Sequence, residues 1–232
     1  MRYNTDLQGN NAELKEILDS VNALPDVESG GESNADILLS LISGISFVGV
    51  AFPLEELELT IPNLNGANGS ISFQASSGLK KIKLITDQTD VSMSMGNMFA
   101  TIAATTYNDE LQVIDLSEFS VIMTSAINMC SGNRELKEII GSLNVSSVKT
   151  FTNMFRYCTH LRDVRFVSGT IKYNIGFAQS NLLSDESIQS ILDGLADLTG
   201  VDAQTITFHS DVKAKLTEDQ IVTITGKNWT LA

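Results

Sequence analysis

The segment NMFRYCTHLRDVRF, residues 153–166, contains the two signatures that decide the fold of this chain. It begins with Asn-Met-Phe and ends with the pattern Leu-x-x-Ile/Leu/Val-x-Leu/Phe. Copies of the second pattern are Leu54-Leu57-Leu59, Leu79-Ile82-Leu84, Leu111-Ile114-Leu116, Leu161-Val164-Phe166 and Leu136-Ile139, which has Gly141 as its last position. The first signature recurs as Asn97-Met98-Phe99 and Asn128-Met129-Cys130. Because the copies at residues 111, 136 and 161 are 25 residues apart, they indicate a stacked repeat.

Each copy alternates apolar and polar residues, which predicts a short strand with one buried face. A single unit cannot cover that face, so neighbouring units stack and bury a continuous core. The return legs, which carry the Asn-Met signature, are expected to be short helices or irregular turns. The interval between Leu79 and Leu111 is 32 residues, which predicts an insertion between Leu84 and Leu111.

Residues 153–166 and the weaker copy NMCSGNRELKEI, residues 128–139, resemble the BspA-type leucine-rich repeats of bacterial surface proteins and phage or prophage proteins. Residues 1–26, 182–200 and 214–232 resemble the flanks of phage-type leucine-rich repeat proteins encoded in prophages of gut-type bacteria. The resemblance implies an α/β solenoid of short parallel strands over residues 54–180. It also implies that Asn133 and Cys158 hydrogen-bond turn backbone inside the coil, and that the protein has a binding or structural role without catalytic residues.

The N-terminal region, residues 1–25, is predicted to contain a helix over residues 11–24, with Leu14, Val21 and Leu24 on its apolar face. This helix either docks on the repeat body as a cap or forms a short coiled coil that joins protomers. Residues 26–34 read as a linker because Gly, Ser and Glu dominate them. The repeat domain with its capping segments is expected to occupy residues 35–232.

The ends of the repeat domain are predicted to be caps. At the front, residues 35–41 should be helical, residues 45–52 a buried strand, and residues 63–78 a surface loop or hairpin. The C-terminal cap, about residues 183–232, should begin with a helix that has Ser184 as N-cap and ends at Gly200. Thr205–Phe208 would follow as a sixth strand of the array. Thr217 and Gln220 form a capping box, and Trp229–Leu231 would be a closing strand.

The composition excludes several classes of protein. The formal net charge is −13, with −9 in residues 1–60 and −4 in the remainder, so the surface repels phosphate backbones and anionic membranes. We therefore expect no nucleic-acid partner, and no apolar run is long enough for membrane insertion. Residues 1–6 lack the apolar segment of a secretory signal, so we expect cytoplasmic synthesis and, after release, association with a virion.

The candidate catalytic and metal-binding residues are expected to have structural roles. His160 and His209 have no partner at metal-ligand spacing, and Asp193 and Asp197 lie on the polar side of a predicted helix. Cys130 and Cys158 are at inequivalent repeat positions, so we expect free, buried thiols. No nucleophile elbow, Walker loop or dinucleotide-binding pattern is present. We therefore expect no catalytic residue, metal or cofactor.

The exposed side of the stacked strands is the candidate binding surface. The charged residues expected there are Glu56, Glu58, Lys81, Lys83, Asp115, Glu138, Asp163 and Arg165. Neighbouring strands lie about 4.8 Å apart, so Glu58 should meet Lys83, and Lys83 should meet Asp115. Ile140 should likewise lie opposite Arg165. These charges either pair for register and solubility, or form a mixed-charge recognition face for a protein or cell-surface macromolecule.

Two other functions stay open at this point. A bacterial cell-surface adhesin would use the same repeats, although such a protein normally begins with a signal sequence. A glycan-acting enzyme would need two carboxylates facing each other across a cleft, roughly 5 to 10 Å apart. We expect a virion-associated, non-enzymatic binding or structural module that recognises a host surface.

Overall fold

A computed structural model describes residues 47–49, 51–52, 55–61, 71–101 and 110–232. The predicted helix over residues 11–24, the linker and the helix over residues 35–41 lie outside these ranges. Ten strands are present in the described part: β1 Glu56–Thr60, β2 Lys81–Ile85, β3 Val91–Ser94, β4 Val113–Glu118, β5 Val121–Ser125, β6 Glu138–Leu143, β7 Asp163–Phe166, β8 Ile175–Phe177, β9 Gln204–Phe208 and β10 Trp229–Leu231.

The largest sheet contains the Leu-x-x-Ile strands. Its order is β1-β2-β4-β6-β7, and every neighbouring pair is parallel. The second apolar position of each copy is buried from Ile82 onward, as is the leucine that begins each copy from Leu79 onward. The alternation in the sequence therefore predicts correctly which side of these strands faces the core. The result is an α/β arrangement of parallel strands with few helices.

Two smaller parallel sheets are present, one formed by segments between these strands and one by segments that follow β7. Strand β3 pairs with β5, and Ile122 of β5 makes an isolated bridge to Asn144 of the next segment. The third sheet has the order β10-β9-β8. The inward side chains of all three sheets belong to one hydrophobic cluster.

A column of aromatic rings runs through that cluster. Phe73 stacks between Phe47 and Phe99, with centroid distances of 5.2 and 5.8 Å. Phe177 stacks between Phe155 and Phe208 at 5.1 and 5.8 Å. The prediction of a surface loop over residues 63–78 is therefore wrong from residue 71 onward, because Ile71 and Phe73 are buried.

The first described residues also differ from prediction. The sequence predicts a buried strand over residues 45–52, but Val48 and Gly49 form a turn and Val48 is exposed. Ala51 makes only an isolated parallel bridge, to Ser77. Gly49 has a φ of 71°, a left-handed conformation that turns the chain instead of extending it.

Helix α1, Asp185–Gly194, begins as predicted with Ser184, whose side chain accepts a hydrogen bond from Ser187 N. It ends at Gly194 instead of Gly200. The chain after Gly194 pairs with Ile171, because Ile171 N donates to Gly194 O and Ala196 N donates to Ile171 O. These bonds remove residues 195–198 from the helix while Leu195 and Leu198 stay buried.

The position beside β7 is occupied by α1 and not by a sixth strand. Val164 N donates to Ser187 Oγ and Phe166 N donates to Ser190 Oγ, so two serines of α1 satisfy the edge of β7. The predicted sixth strand, Thr205–Phe208, is β9 of the third sheet. The prediction failed because the alternating pattern identifies a strand but not the sheet to which it belongs.

The C-terminal segment contains two further helices, α2 Ser210–Lys213 and α3 Glu218–Gly226. Thr217 and Gln220 make both bonds of the predicted capping box. Lys227 Nζ then donates to Leu192 O and Leu195 O at 2.8 and 2.9 Å, which satisfies carbonyls at the end of α1. Among the described helices, none has the length and apolarity needed to cross a membrane.

Candidate functional site

The exposed side of the largest sheet carries the charged residues that the sequence singled out. Along one row, the register places Lys81 between Glu56 and Val113, and then Glu138 beside Asp163. Along the second row, Lys83 lies between Glu58 and Asp115, and Asp115 pairs with Ile140. The predicted neighbours of Lys83 are therefore correct.

The second row does not continue regularly onto β7. The register shifts between β6 and β7, so that Ser142, and not Ile140, pairs with Arg165. Gly141 lies within this irregularity with a φ of 94°. A Cβ atom there would lie 2.8 Å from the backbone carbon and oxygen of Leu116. The predicted contact between Ile140 and Arg165 is wrong because the bulge at Gly141 displaces the rest of β6.

Lys83 is the best-neutralised cation of this surface. Its Nζ lies 3.3 Å from Glu58 Oε2 and 2.8 Å from Glu118 Oε1. The hydrogen bond to Glu118 outweighs desolvation and, with the contribution of Glu58, raises the pKa of Lys83 above its ordinary value. Glu118 was missed at the sequence level, because it follows the motif and comes opposite Ile85 only through a register shift.

Asp115 is less accessible to a partner than the sequence predicts, because only 8% of its surface is exposed. Desolvation opposes its charged form, but hydrogen bonds from the hydroxyl and backbone N–H of Ser117, helped by Lys81 and Lys83, lower the pKa of Asp115. The Ser117 Oγ and N atoms lie 2.6 and 3.0 Å from Asp115 Oδ1. Asp115 thus accepts hydrogen bonds from Ser117 within β4 and is a poor candidate for direct contact with a partner.

A further row of polar residues lies one position before the strands and was not singled out from the sequence. Lys80 Nζ lies 2.5 Å from Glu55 Oε1, and Lys137 Nζ donates to Gln112 Oε1 at 3.0 Å. Arg162 occupies the next position, since its backbone N donates to Lys137 O. The 25-residue spacing of Lys137 and Arg162 is the signal that could have placed them side by side.

At the β7 end, Asp163 and Arg165 have different surroundings. Asp163 is half-buried, and its Oδ1 accepts a hydrogen bond from Ser184 Oγ at 2.6 Å. Arg165 is exposed beside Ser142. Arg165 is therefore exposed to an external group, whereas one carboxylate oxygen of Asp163 already accepts a hydrogen bond from the N-cap residue of α1.

The two histidines have local structural roles. His160 Nδ1 lies 2.8 Å from Arg134 O and 3.5 Å from Glu135 Oε1, within a turn. The side chain of His209 accepts a hydrogen bond from Asp211 N at the start of α2. In the residues that the structure describes, no three His, Cys, Asp or Glu side chains form a group that could hold a metal ion. Asp193, Asp197 and Asp202 are exposed.

Together, these residues form a surface of ordered strands on which cations and carboxylates occupy defined rows. Such a surface can recognise a macromolecule through ion pairs and hydrogen bonds. No protein-family model matches this chain, and comparison with curated proteins and with solved structures likewise returns no match.

Proposed function

We propose that this chain is a leucine-rich repeat solenoid of the BspA-like, phage or prophage type, which acts as a non-enzymatic binding or structural module. The observation that carries the proposal is the strand order β1-β2-β4-β6-β7, in which each Leu-x-x-Ile segment pairs with the previous one after a return leg. Repetition of one unit in this way gives a continuous exposed strand surface, which repeat proteins use for binding.

The return legs support the same proposal. Asn97, Asn128 and Asn153, the first residues of the Asn-Met signature, all have left-handed φ angles between 53° and 57°. Asn128 Nδ2 donates to Asn97 Oδ1 at 3.0 Å, so equivalent turns contact each other. Asn tolerates this conformation better than most residues, which explains its recurrence.

The proposed partner is a protein or other macromolecule on a host cell surface, and the proposed context is a virion. In this proposal the protein is made in the cytoplasm and is virion-associated after release. Ordered strands support such recognition because the backbone that carries the binding side chains has little freedom left to lose. Genes for tail or baseplate components beside the gene for this protein would support the phage context, and an unrelated neighbourhood would count against it.

Binding to cells tests the recognition function. Fluorescently labelled protein is added to a panel of gut-type bacteria and the bound fraction is measured by flow cytometry. A variant with Lys81→Glu and Arg165→Glu should bind less than the parent. The matched control carries Lys213→Glu and Lys215→Glu, which give the same change in net charge at the exposed residues around α2.

Circular dichroism establishes that both variants are folded. Loss of binding in the strand-face variant alone supports the proposal. Equal binding by the two variants would place recognition elsewhere on the protein, and the absence of binding to any cell by the parent would contradict host-surface recognition.

A further inference from the structure

Neighbouring charges of the strand surface have opposite signs at one end of the sheet and equal signs at the other. Between β1 and β2, residues in register have opposite signs: Glu56 lies beside Lys81, and Glu58 beside Lys83. The row just before these strands has the same property, since Lys80 contacts Glu55. This end of the surface neutralises itself, as expected for charges that support register and solubility.

Between β6 and β7 the residues at the same motif positions have equal signs. Glu138 and Asp163 are Cα partners across the two strands. One position earlier, Arg162 N donates to Lys137 O at 2.8 Å, which places these two cations on neighbouring segments. We call these four residues, Lys137, Glu138, Arg162 and Asp163, the bipolar patch.

The four side chains of the bipolar patch are not paired with opposite charges. Within the described part of the chain, none of its four residues forms an ion pair within 4.0 Å. The side-chain partners seen for it are neutral: Gln112 for Lys137 and Ser184 for Asp163. Like charges placed opposite each other on neighbouring strands are destabilising. Ion pairing between these two strands therefore does not stabilise the fold, whereas reversal of the charge of one residue in each row would have paired the charges.

We propose that the bipolar patch docks a polypeptide segment of a partner protein, one in which paired acidic residues adjoin paired basic residues. This inference rests on the proposed binding function and assigns it to one end of the strand surface. Lys137 and Arg162 are exposed and receive the acidic pair, while Glu138 and Asp163, half-buried in the adjacent row, receive the basic pair.

The patch selects against partners of a single charge. A polyanion that approaches Lys137 and Arg162 meets Glu138 and Asp163 one residue away. A polycation meets the reverse arrangement. Like-charge contacts of this kind suppress wrong partners, so a segment with both signs is the ligand that satisfies all four side chains.

The test uses a synthetic peptide with four repeats of Glu-Glu-Lys-Lys as the probe, with polyglutamate and polylysine for comparison. Binding to immobilised full-length protein is measured by biolayer interferometry at low ionic strength. The patch variant carries Lys137→Gln, Glu138→Gln, Arg162→Gln and Asp163→Asn. The control variant carries Lys213→Gln, Lys215→Gln, Glu218→Gln and Asp219→Asn, four exposed residues outside the five-stranded sheet. Both variants keep the net charge of the parent.

We expect the parent to prefer the mixed peptide to either homopolymer. The patch variant should bind it at least about tenfold more weakly, and the control variant should bind like the parent. Preference of the parent for a homopolymer, or equal loss in the two variants, would overturn the inference. In cell binding, a parent that attaches and a patch variant that attaches equally well would overturn it while the proposed function stands.

Thermal unfolding supplies a readout that is independent of any ligand. At low ionic strength, the melting temperature of the patch variant should equal or exceed that of the parent, because repulsion is removed. The control variant should melt at or below the parent, because Lys213, Glu218 and Asp219 lie at helix ends where their charges are favourable. A lower melting temperature for the patch variant than for the control would mean that the four charges support the fold, and would contradict the inference.

Discussion

Asn133 donates a hydrogen bond from Nδ2 to the backbone oxygen of Phe99, one turn earlier in the stack, at 2.7 Å. The same Nδ2 reaches Cys130 O at 2.9 Å, and the residue is fully buried. Two later turns use the same device: Cys158 Sγ donates to Cys130 O and Ser180 Oγ donates to Cys158 O, both at 3.1 Å. Three kinds of donor thus satisfy turn carbonyls that water cannot reach.

Replacement of Asn133 by Ala should lower the free energy of unfolding by about 1 to 3 kcal/mol, because it leaves the buried Phe99 carbonyl without its side-chain donor. Urea unfolding followed by circular dichroism measures this loss. Asn133→Ser is the matched variant, since Ser180 serves the equivalent purpose and the Oδ1 of Asn133 has no hydrogen-bond partner among the described residues. We expect Asn133→Ser to lose less than Asn133→Ala, and equal stability of Asn133→Ala and the parent would contradict this role.

The bulge of β6 gives a second prediction. Gly141→Ala should lower the free energy of unfolding by more than about 1 kcal/mol, since the new Cβ would meet Leu116 backbone at a left-handed position. Gly169→Ala is the control, because Gly169 also has a positive φ of 68° but nothing lies within 4 Å of its added Cβ. Urea midpoints of both variants separate the steric contribution from the conformational one. Equal losses would show that the close approach of Leu116 is unimportant.

The sequence predicts the local elements and the neighbours of Lys83 because both follow from the period of the repeat. The capping box at Thr217 and the N-cap at Ser184 are likewise local properties of a few adjacent residues. The bulge at Gly141 was not predicted, since a glycine in the last motif position reveals only a missing side chain. Its consequence, the pairing of Arg165 with Ser142, depends on how two strands meet in space.

Phe73 is a second feature that local sequence patterns do not predict. It occupies the ring column next to Phe99, yet its segment lacks the Asn-Met pair that identifies the other return legs. Turn-forming residues on both sides favoured a surface loop, but burial of the ring outweighs that local preference. The bipolar patch could be predicted in part. The spacing of its residues is visible in the sequence, but its contrast with the oppositely charged neighbours on β1 and β2 follows only from the strand register.

The N-terminal helix predicted over residues 11–24 yields a prediction about assembly. If its spacing of Leu14, Val21 and Leu24 forms a coiled-coil seam, a chain that starts at Glu32 should form a smaller assembly than the full chain. Multi-angle light scattering gives the protomer number of each, and circular dichroism checks that the shortened chain is folded. The same protomer number for both would instead support a helix that caps or tethers the body.

The buried thiols give the last prediction. Burial raises the pKa of Cys158 from its ordinary value of 9.0 to about 12, although an interaction with the backbone of Asn133 opposes this. Burial, with a smaller contribution from Cys158, also raises the pKa of Cys130. Both groups therefore stay protonated at pH 8, and the folded protein should react very slowly with a thiol reagent such as dithiobis-nitrobenzoate. After unfolding without reductant, titration should count two free thiols per chain, as the free state of both cysteines requires.

The raised values also set the direction of the pH dependence. An unfolded thiol ionises near pH 9.0, whereas folded Cys158 ionises near 12, so its contribution to stability is complete below 9.0 and is lost as the pH rises through about 12. The urea midpoint should decrease more between pH 8 and pH 10.5 for the parent than for a Cys130→Ala, Cys158→Ala variant. The double variant shares all other titrating groups and is the control for them. A count of zero free thiols, or identical slopes for the two proteins, would contradict the assignment of both cysteines as neutral, unbridged core residues.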